Sequence, residues 1–357
     1  MALSFLSQFL PWPFSTAAKL ALARPGASEA ATRAARADYS EPPVMTSPLG
    51  HLSVVAGGAT KLVFAAAVYR LLGPPDLEAA RALALPWVAS VAARDLLITW
   101  LIGGSWDWLH LSPSSPLYAT LRPYRFAGED EPYPSAARVS HDFFWASVSA
   151  LVSTGWEVAL LHLCATRALP LAALPGDRWW ADARTVLALL ALPHFQIVHF
   201  YATHRVMHRW FAPGRAPALV PDVGAFLYRH VHSLHHRAKD PSAFSGISMH
   251  PVESALFFTT MPIACLLGLH PIAMLHAKFF NISAAMLGHE SFGDPSTGGH
   301  GHWLHHKLVN CNFGGNFVPL DHWLGTYARD EADFEKRFLG LKEEPGEGGK
   351  GEGKKAA

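Results

Sequence analysis

The chain has 357 residues, of which half are apolar and only 16% are charged, with a formal net charge of +1. So small a charged fraction, against roughly a quarter in soluble domains, points to a membrane protein, and the near-neutral balance excludes a basic surface for nucleic acid. Three scattered cysteines exclude a disulfide framework and a thiolate zinc site, whereas 21 histidines and 12 tryptophans stand out, the latter suiting membrane interfaces.

Residues 1–50 are rich in Ala, Ser and Pro, with scattered basic residues. They are expected to form a disordered or targeting tail, and their few acids and several arginines also fit a transit peptide. Six apolar runs then approach the length of about 20 residues that a crossing needs. They lie at about 52–72, 82–103, 143–164, 184–203, 254–270 and 271–289. The second contains the adjacent charges Arg94 and Asp95, which are expected to face protein. The last two meet at "LHPI", where Pro271 marks the turn of a helical hairpin. Residues 341–357, "LKEEPGEGGKGEGKKAA", hold no core-forming run and are expected to be disordered. Their "KKAA" ending matches the dilysine retrieval signal of endoplasmic-reticulum membrane proteins, an address and not an anchor.

The loop 204–240 carries Arg205, Arg209, Arg215, Arg229, Arg237 and Lys239, which places it in the cytosol by the positive-inside rule. Counting crossings in both directions puts the two termini in the cytosol as well. The N-terminal Lys19, Arg24, Arg33 and Arg36 agree with that side. The expected fold is all-α: a polytopic membrane helical bundle with a cytosolic, histidine-rich helical cap holding a dimetal site. Residues 51–140 would supply N-terminal transmembrane helices and a cytosolic loop, and 141–335 the catalytic domain.

Three clusters carry the chemistry. "HRVMH" sets His204 and His208 four apart, one turn apart on a helical face. "HSLHH" brings His232, His235 and His236 together from a second helix, and "HWLHH" brings His302, His305 and His306 from a third. His250 in "MHPVES" and His289 in "LGHES" fall at the cytosolic ends of the hairpin. For His250 a helix-capping role competes, with Pro251 at the first helical position. A catalytic zinc takes three protein ligands and a structural zinc four, so these imidazoles suffice for two metal ions with four or five nitrogens each. Imidazole suits iron, zinc, copper and nickel. Two neighbouring redox-capable ions beside apolar helices suit dioxygen activation against an unreactive C–H bond, which zinc cannot perform.

In order, "HRVMH", "YRHVHSLHH", "HPVES", "GHES" and "HWLHHKLVNCNFGGNFVPLDHWLGT" resemble the fatty acid hydroxylase/sterol desaturase superfamily over about residues 140–335. "HPVE" and a single histidine before the last triplet look more like its sterol desaturase branch, because Ala285 stands where a partner of His289 would complete an H-x-x-x-H pair. The resemblance implies an endoplasmic-reticulum membrane enzyme with two iron ions. It would use O2 and electrons from NAD(P)H through cytochrome b5 to desaturate or hydroxylate a lipid, most simply a sterol. Zinc would be accepted in place of iron in purified protein. No "HPGG"-type haem segment is present, so the donor would be a separate protein. Asn312, Asn316, Asp321 and Glu253 are candidates to hold the ligands' second ring nitrogens, or else to cap helices and turn the chain. Hydroxylation of an acyl or sphingoid chain is the alternative within enzymes. A metal transporter or a non-catalytic scaffold is the alternative outside them.

Overall fold

A computed structural model describes residues 48–73, 77–122, 125–127, 132–170, 178–211, 219–289, 291–292, 299–315 and 318–339. Most of the N-terminal tail, the C-terminal tail with its "KKAA" ending, Arg215 and Asn316 lie outside the described residues. Among the described residues the secondary structure is helical, with no strand and one isolated antiparallel bridge between Arg125 and Phe292.

Among the described residues four helices are long and apolar enough to cross a membrane: α1 (Pro48–Leu72), α2 (Leu85–Leu111), α3 (Ala136–Ala165) and α4 (Ala183–Val206). Their boundaries follow local chemistry. A proline opens α2, where a missing N–H costs nothing. The hydroxyl of Ser135 accepts the N–H of Arg138 at the start of α3, and the carboxylate of Asp182 accepts that of Arg184 at the start of α4. Pro193 inside α4 packs on α1 at Gly58, where a Cβ would come within 2.4 Å of the proline ring.

The two remaining apolar runs fold back on each other as the expected helical hairpin, although among the described residues none of its helices has the length and hydropathy of a crossing. They fold as three helices after the "HP" signal: α6 (Pro251–Phe257), α7 (Thr260–Leu266) and α8 (Pro271–Gly288). The chain turns between α7 and α8 at Gly268, whose φ is +62°. His270 then caps α8 by accepting the N–H of Ile272. Helix α8 is sheathed by protein, packing on α1, α3, α4 and α7, and almost every side chain in it is buried. Its apolar run therefore meets other helices and not solvent or lipid, and it carries polar groups that need protein partners. His276 donates to the carbonyl of Gly58, and Asn281 donates to the carbonyl of Phe257.

Lys278 on α8 meets the charges foreseen on α2. It contacts Asp95 and Glu157, while Arg94 lies 2.8 Å from Asp95 and 2.5 Å from Glu157. Two cations and two carboxylates, all buried, thus tie α2, α3 and α8 together. At one end of the bundle, α2 and α4 end and α3 and α6 begin. There Asp107 of α2 accepts the N–H of Ala243, and Asp142 of α3 accepts the hydroxyls of Ser245 and Ser248. Those bonds fix the loop 242–249 against the bundle, immediately before His250.

Candidate metal centre

The histidines converge at this end of the bundle. His204 lies in the last turn of α4, and His208 follows it, its N–H donating to the carbonyl of Arg205. Helix α5 (Val223–His230) leads into His232–Arg237, which is a 3-10 helix and not the α-helix expected. His302, His305 and His306 stand on α9 (Gly299–Leu308), and His289 caps the C-terminus of α8.

Each triplet divides its histidines between two groups. His204, His208, His232, His236 and His305 form one group, and His235, His289, His302 and His306 the other. Within each group one nitrogen of every ring lies within 4.8 Å of the rest, and all nine residues are buried. The outer pair of the first triplet and the outer pair of the second thus belong to different groups, and the middle histidines cross over. Adjacent rings make this possible: the planes of His235 and His236 meet at 85°, as do those of His305 and His306. Spacing placed first and last members on one face, and the structure keeps that; the exchange of the middle members had no counterpart in spacing. Of the ten expected donors, His250 stands outside both groups. It caps α6, its Nδ1 accepting the N–H of Val252 at 3.2 Å.

Protonation follows from what each second nitrogen touches. The Nδ1 of His204, His305 and His289 lies 2.7, 2.6 and 2.6 Å from the carbonyl oxygens of Phe313, Cys311 and Ala285. A carbonyl only accepts, so each Nδ1 carries the hydrogen and each Nε2 presents a lone pair. The Nδ1 of His232 lies 2.7 Å from Glu253 Oε1. Burial, reinforced by the neighbouring imidazoles, holds His232, His235, His236, His302, His305 and His306 well below the ordinary histidine range, so these rings are neutral at pH 7.

The lone-pair nitrogens face one another. The Nε2 of His204 is 3.0 Å from that of His232 and 3.2 Å from that of His208, and the Nε2 of His305 is 3.0 Å from that of His236. In the second group the Nε2 of His289 is 3.1 Å from that of His235 and 2.9 Å from that of His302. His306 has no hydrogen-bond partner for either ring nitrogen among the described residues. Where two such buried nitrogens are both acceptors they repel unless a cation lies between them. Metal–nitrogen bonds of about 2.0–2.1 Å place neighbouring ligands about 2.9–3.4 Å apart in octahedral or tetrahedral geometry. The donor set fits that requirement, and each group can hold a metal ion.

Of the supporting residues foreseen, Glu253 touches a cluster histidine directly. Asp321 works one step away: it accepts the N–H groups of Phe313 and Gly314 and so fixes the carbonyl that holds His204. Asn312 turns the chain at φ +53°, donating to and accepting from the backbone of Ala328. The three carbonyl partners carry no side-chain signal and were invisible in the sequence. So was Phe200, whose ring stacks on His204 at 5.0 Å and lies 5.9 Å from His302 and, edge to face, 6.2 Å from Phe257, an apolar wall beside both groups.

With this geometry in hand, comparison with known proteins is specific. Residues 188–326 match the fatty acid hydroxylase family. The chain is 28% identical to sphinganine C4-monooxygenase 1 of Arabidopsis thaliana over 171 residues, covering 43% of this chain and 59% of that protein. It is 34% identical to cholesterol 25-hydroxylase of Homo sapiens over 114 residues, 28% of this chain and 42% of that protein. To a very-long-chain aldehyde decarbonylase of Oryza sativa subsp. indica it is 25% identical over 167 residues, 43% of this chain and 55% of that protein. The matches thus span about half the length of these relatives. No solved structure matches the chain.

Proposed function

We propose that this chain, whose residues 188–326 match the fatty acid hydroxylase family, is a membrane oxidoreductase that uses O2 to hydroxylate a lipid at an unactivated carbon. The carrying observation is the pair of buried histidine groups, each with one nitrogen of every ring within 4.8 Å of the rest. Five nitrogens from His204, His208, His232, His236 and His305 would hold one ion, and four from His235, His289, His302 and His306 a second. Iron is the ion this reading requires, because bound iron supplies the two-electron activation of O2 that zinc does not. The balance is lipid–H plus O2 plus two electrons and two protons, giving lipid–OH and water. The electrons come from NAD(P)H through a separate donor of the cytochrome b5 type.

The chain's own residues do the rest. Phe313, Cys311 and Ala285 carbonyls hold three rings at fixed tautomer and Glu253 holds the His232 ring in orientation, so these rings are placed before an ion arrives. Phe200 presents hydrocarbon beside both groups, backed by Phe257, and shields that side from water. The groups lie at helix ends and beyond, not inside spans near a bilayer midplane, which favours an enzyme over a transporter. Arg205, Arg209, Arg229, Arg237 and Lys239 share this end, which supports a cytosolic cap. An endoplasmic-reticulum address and a catalytic unit over 141–335 complete the proposal.

Sterols and long-chain bases are the two substrate classes favoured, the first by "HPVE" and both by the printed activities of relatives. Lipid profiling after expression in a host lacking its own sterol desaturase and sphingoid hydroxylase tests them. A new hydroxysterol or hydroxylated long-chain base, abolished by His235→Ala, is expected. Restored ring-unsaturated sterol would shift the outcome to desaturation, and an unchanged lipid profile from protein loaded with iron would overturn the reading.

A further inference from the structure

Exposed apolar surface does not stop where α4 ends. Along α4 it runs through Leu187, which is 66% exposed, Leu190, Val198 and Val206. Past the helix Trp210, then Leu219, 95% exposed, Val220, Val223 and Phe226, the last 61% exposed, are exposed as well. The described residues here are held by specific bonds. Trp210 Nε1 donates to the carbonyl of Val206 at 3.1 Å. The carboxylate of Asp222 accepts the backbone N–H groups of Trp210, Phe211 and Ala225, the last capping α5. Gly224 lets α5 lie flat on the turn before it: a Cβ there would stand 1.9 Å from the carbonyl oxygen of His208 and 2.5 Å from the Trp210 ring. Arg209 and Arg229 are exposed at the edges of the patch.

The opposite side of α5 faces the candidate metal centre. Tyr228 has its ring 5.3 Å from His208, 5.5 Å from His236 and 6.1 Å from His232. Contiguous apolar surface held in a fixed shape is unfavourable in water and marks an interaction site. Aromatic and aliphatic side chains edged by arginine, continuous with a span's outer stripe, have the make-up of a helix lying in a membrane interface.

We propose that Trp210 and residues 219–226 lie in the headgroup–acyl boundary of the bilayer. Helix α5 then has lipid on its Phe226 face and the five-histidine group on its Tyr228 face, a single helical layer between the two. Arg209 and Arg229 favour an anionic leaflet. The inference rests on the membrane reading above and adds to it a place where the bilayer comes closest to the histidines.

The three cysteines are buried, so a thiol-reactive, polarity-sensitive dye can be directed to single introduced sites. Phe226→Cys probes the patch, Leu187→Cys the outer stripe of α4, and Ala332→Cys an exposed position on the cap. The full-length protein is reconstituted into phosphatidylcholine–phosphatidylserine vesicles carrying a spin label shallow in the acyl chain. Quenching by the lipid label is expected to be several-fold stronger at 226 than at 332, with a blue-shifted emission and protection from aqueous iodide. Iodide access at 226 equal to that at 332, while 187 remains quenched by lipid, would overturn the proposal and leave the patch to water or a protein partner. Loss of lipid quenching at 187 as well would overturn the membrane-crossing reading along with it.

Discussion

At the scale of single residues, the crossover of the middle histidines makes the two groups separable by mutation. His305 belongs to the five-nitrogen group and His306 to the four-nitrogen group, although they are neighbours. Removing one ligand of four leaves three, whereas removing one of five leaves four, enough for a closed site. His306→Ala is therefore expected to lower bound metal from two ions to about one per chain, and His305→Ala to lower it less, as read by elemental analysis of purified protein. Equal losses from both would contradict the division. Glu253 differs from the other ring supports in being a carboxylate and not a carbonyl. Glu253→Gln keeps an acceptor for His232 Nδ1 and removes the charge, so it is expected to lower metal affinity by less than the about 10–100-fold that outright loss of such a partner typically costs. Competition with a chelator measures this. An unchanged affinity would mean that Glu253, which burial pushes well above the usual carboxylate range, stays protonated in the loaded site.

At the scale of elements, legibility in the sequence followed how local the determining contact is. The four spans announce themselves by apolar length and by N-caps such as Ser135 and Asp182, all local features. The cluster members were legible because ligand types recur at fixed spacing. In the 254–289 region the helical hairpin turning at "LHPI" was legible from Pro271, but its burial was not, since an apolar run buried in protein and one facing lipid look alike in sequence, and the Glu157 that Lys278 meets lies far off in the chain. His250 was ambiguous for the opposite reason, as a histidine before proline can serve either a metal or a helix start, and the structure uses its Nδ1 for the latter. The close seat of α5 is likewise a tertiary fact. Gly224→Ala must push α5 away from the His208 carbonyl, and overpacking of this kind costs about 1–3 kcal/mol. A lower thermal midpoint together with weakened metal binding is expected, because the displaced turn carries His208; a variant with both unchanged would show that α5 is not held against that turn.

At the scale of the whole molecule, two sets of buried ionisable groups govern stability in different ways. The nine clustered cap histidines, all held below their ordinary range, are neutral when folded, whereas the unfolded chain protonates them near pH 6.5. The unfolded state then binds more protons, so stability of metal-free protein falls as pH drops below about 6.5 and is flat above it. Thermal midpoints of chelator-treated protein across pH 5 to 8 check this, and an added metal should flatten the fall by excluding protons from the same nitrogens. The quartet of Arg94, Asp95, Glu157 and Lys278 acts through charge balance. Two cations face two carboxylates with no solvent access, each salt-bridged to groups on other helices or on the adjacent residue. Lys278→Met preserves the length of the side chain and leaves two carboxylates facing one guanidinium. Breaking a buried pair from one side costs about 3–5 kcal/mol, because the remaining charge stays buried without compensation. In a protein of this size that corresponds to a drop on the order of 10 °C in thermal midpoint. Adding Glu157→Gln removes the surplus charge and is expected to recover part of the loss, although each single change is destabilising. That non-additive recovery separates charge balance from simple loss of packing, which would make the double variant the least stable of the set.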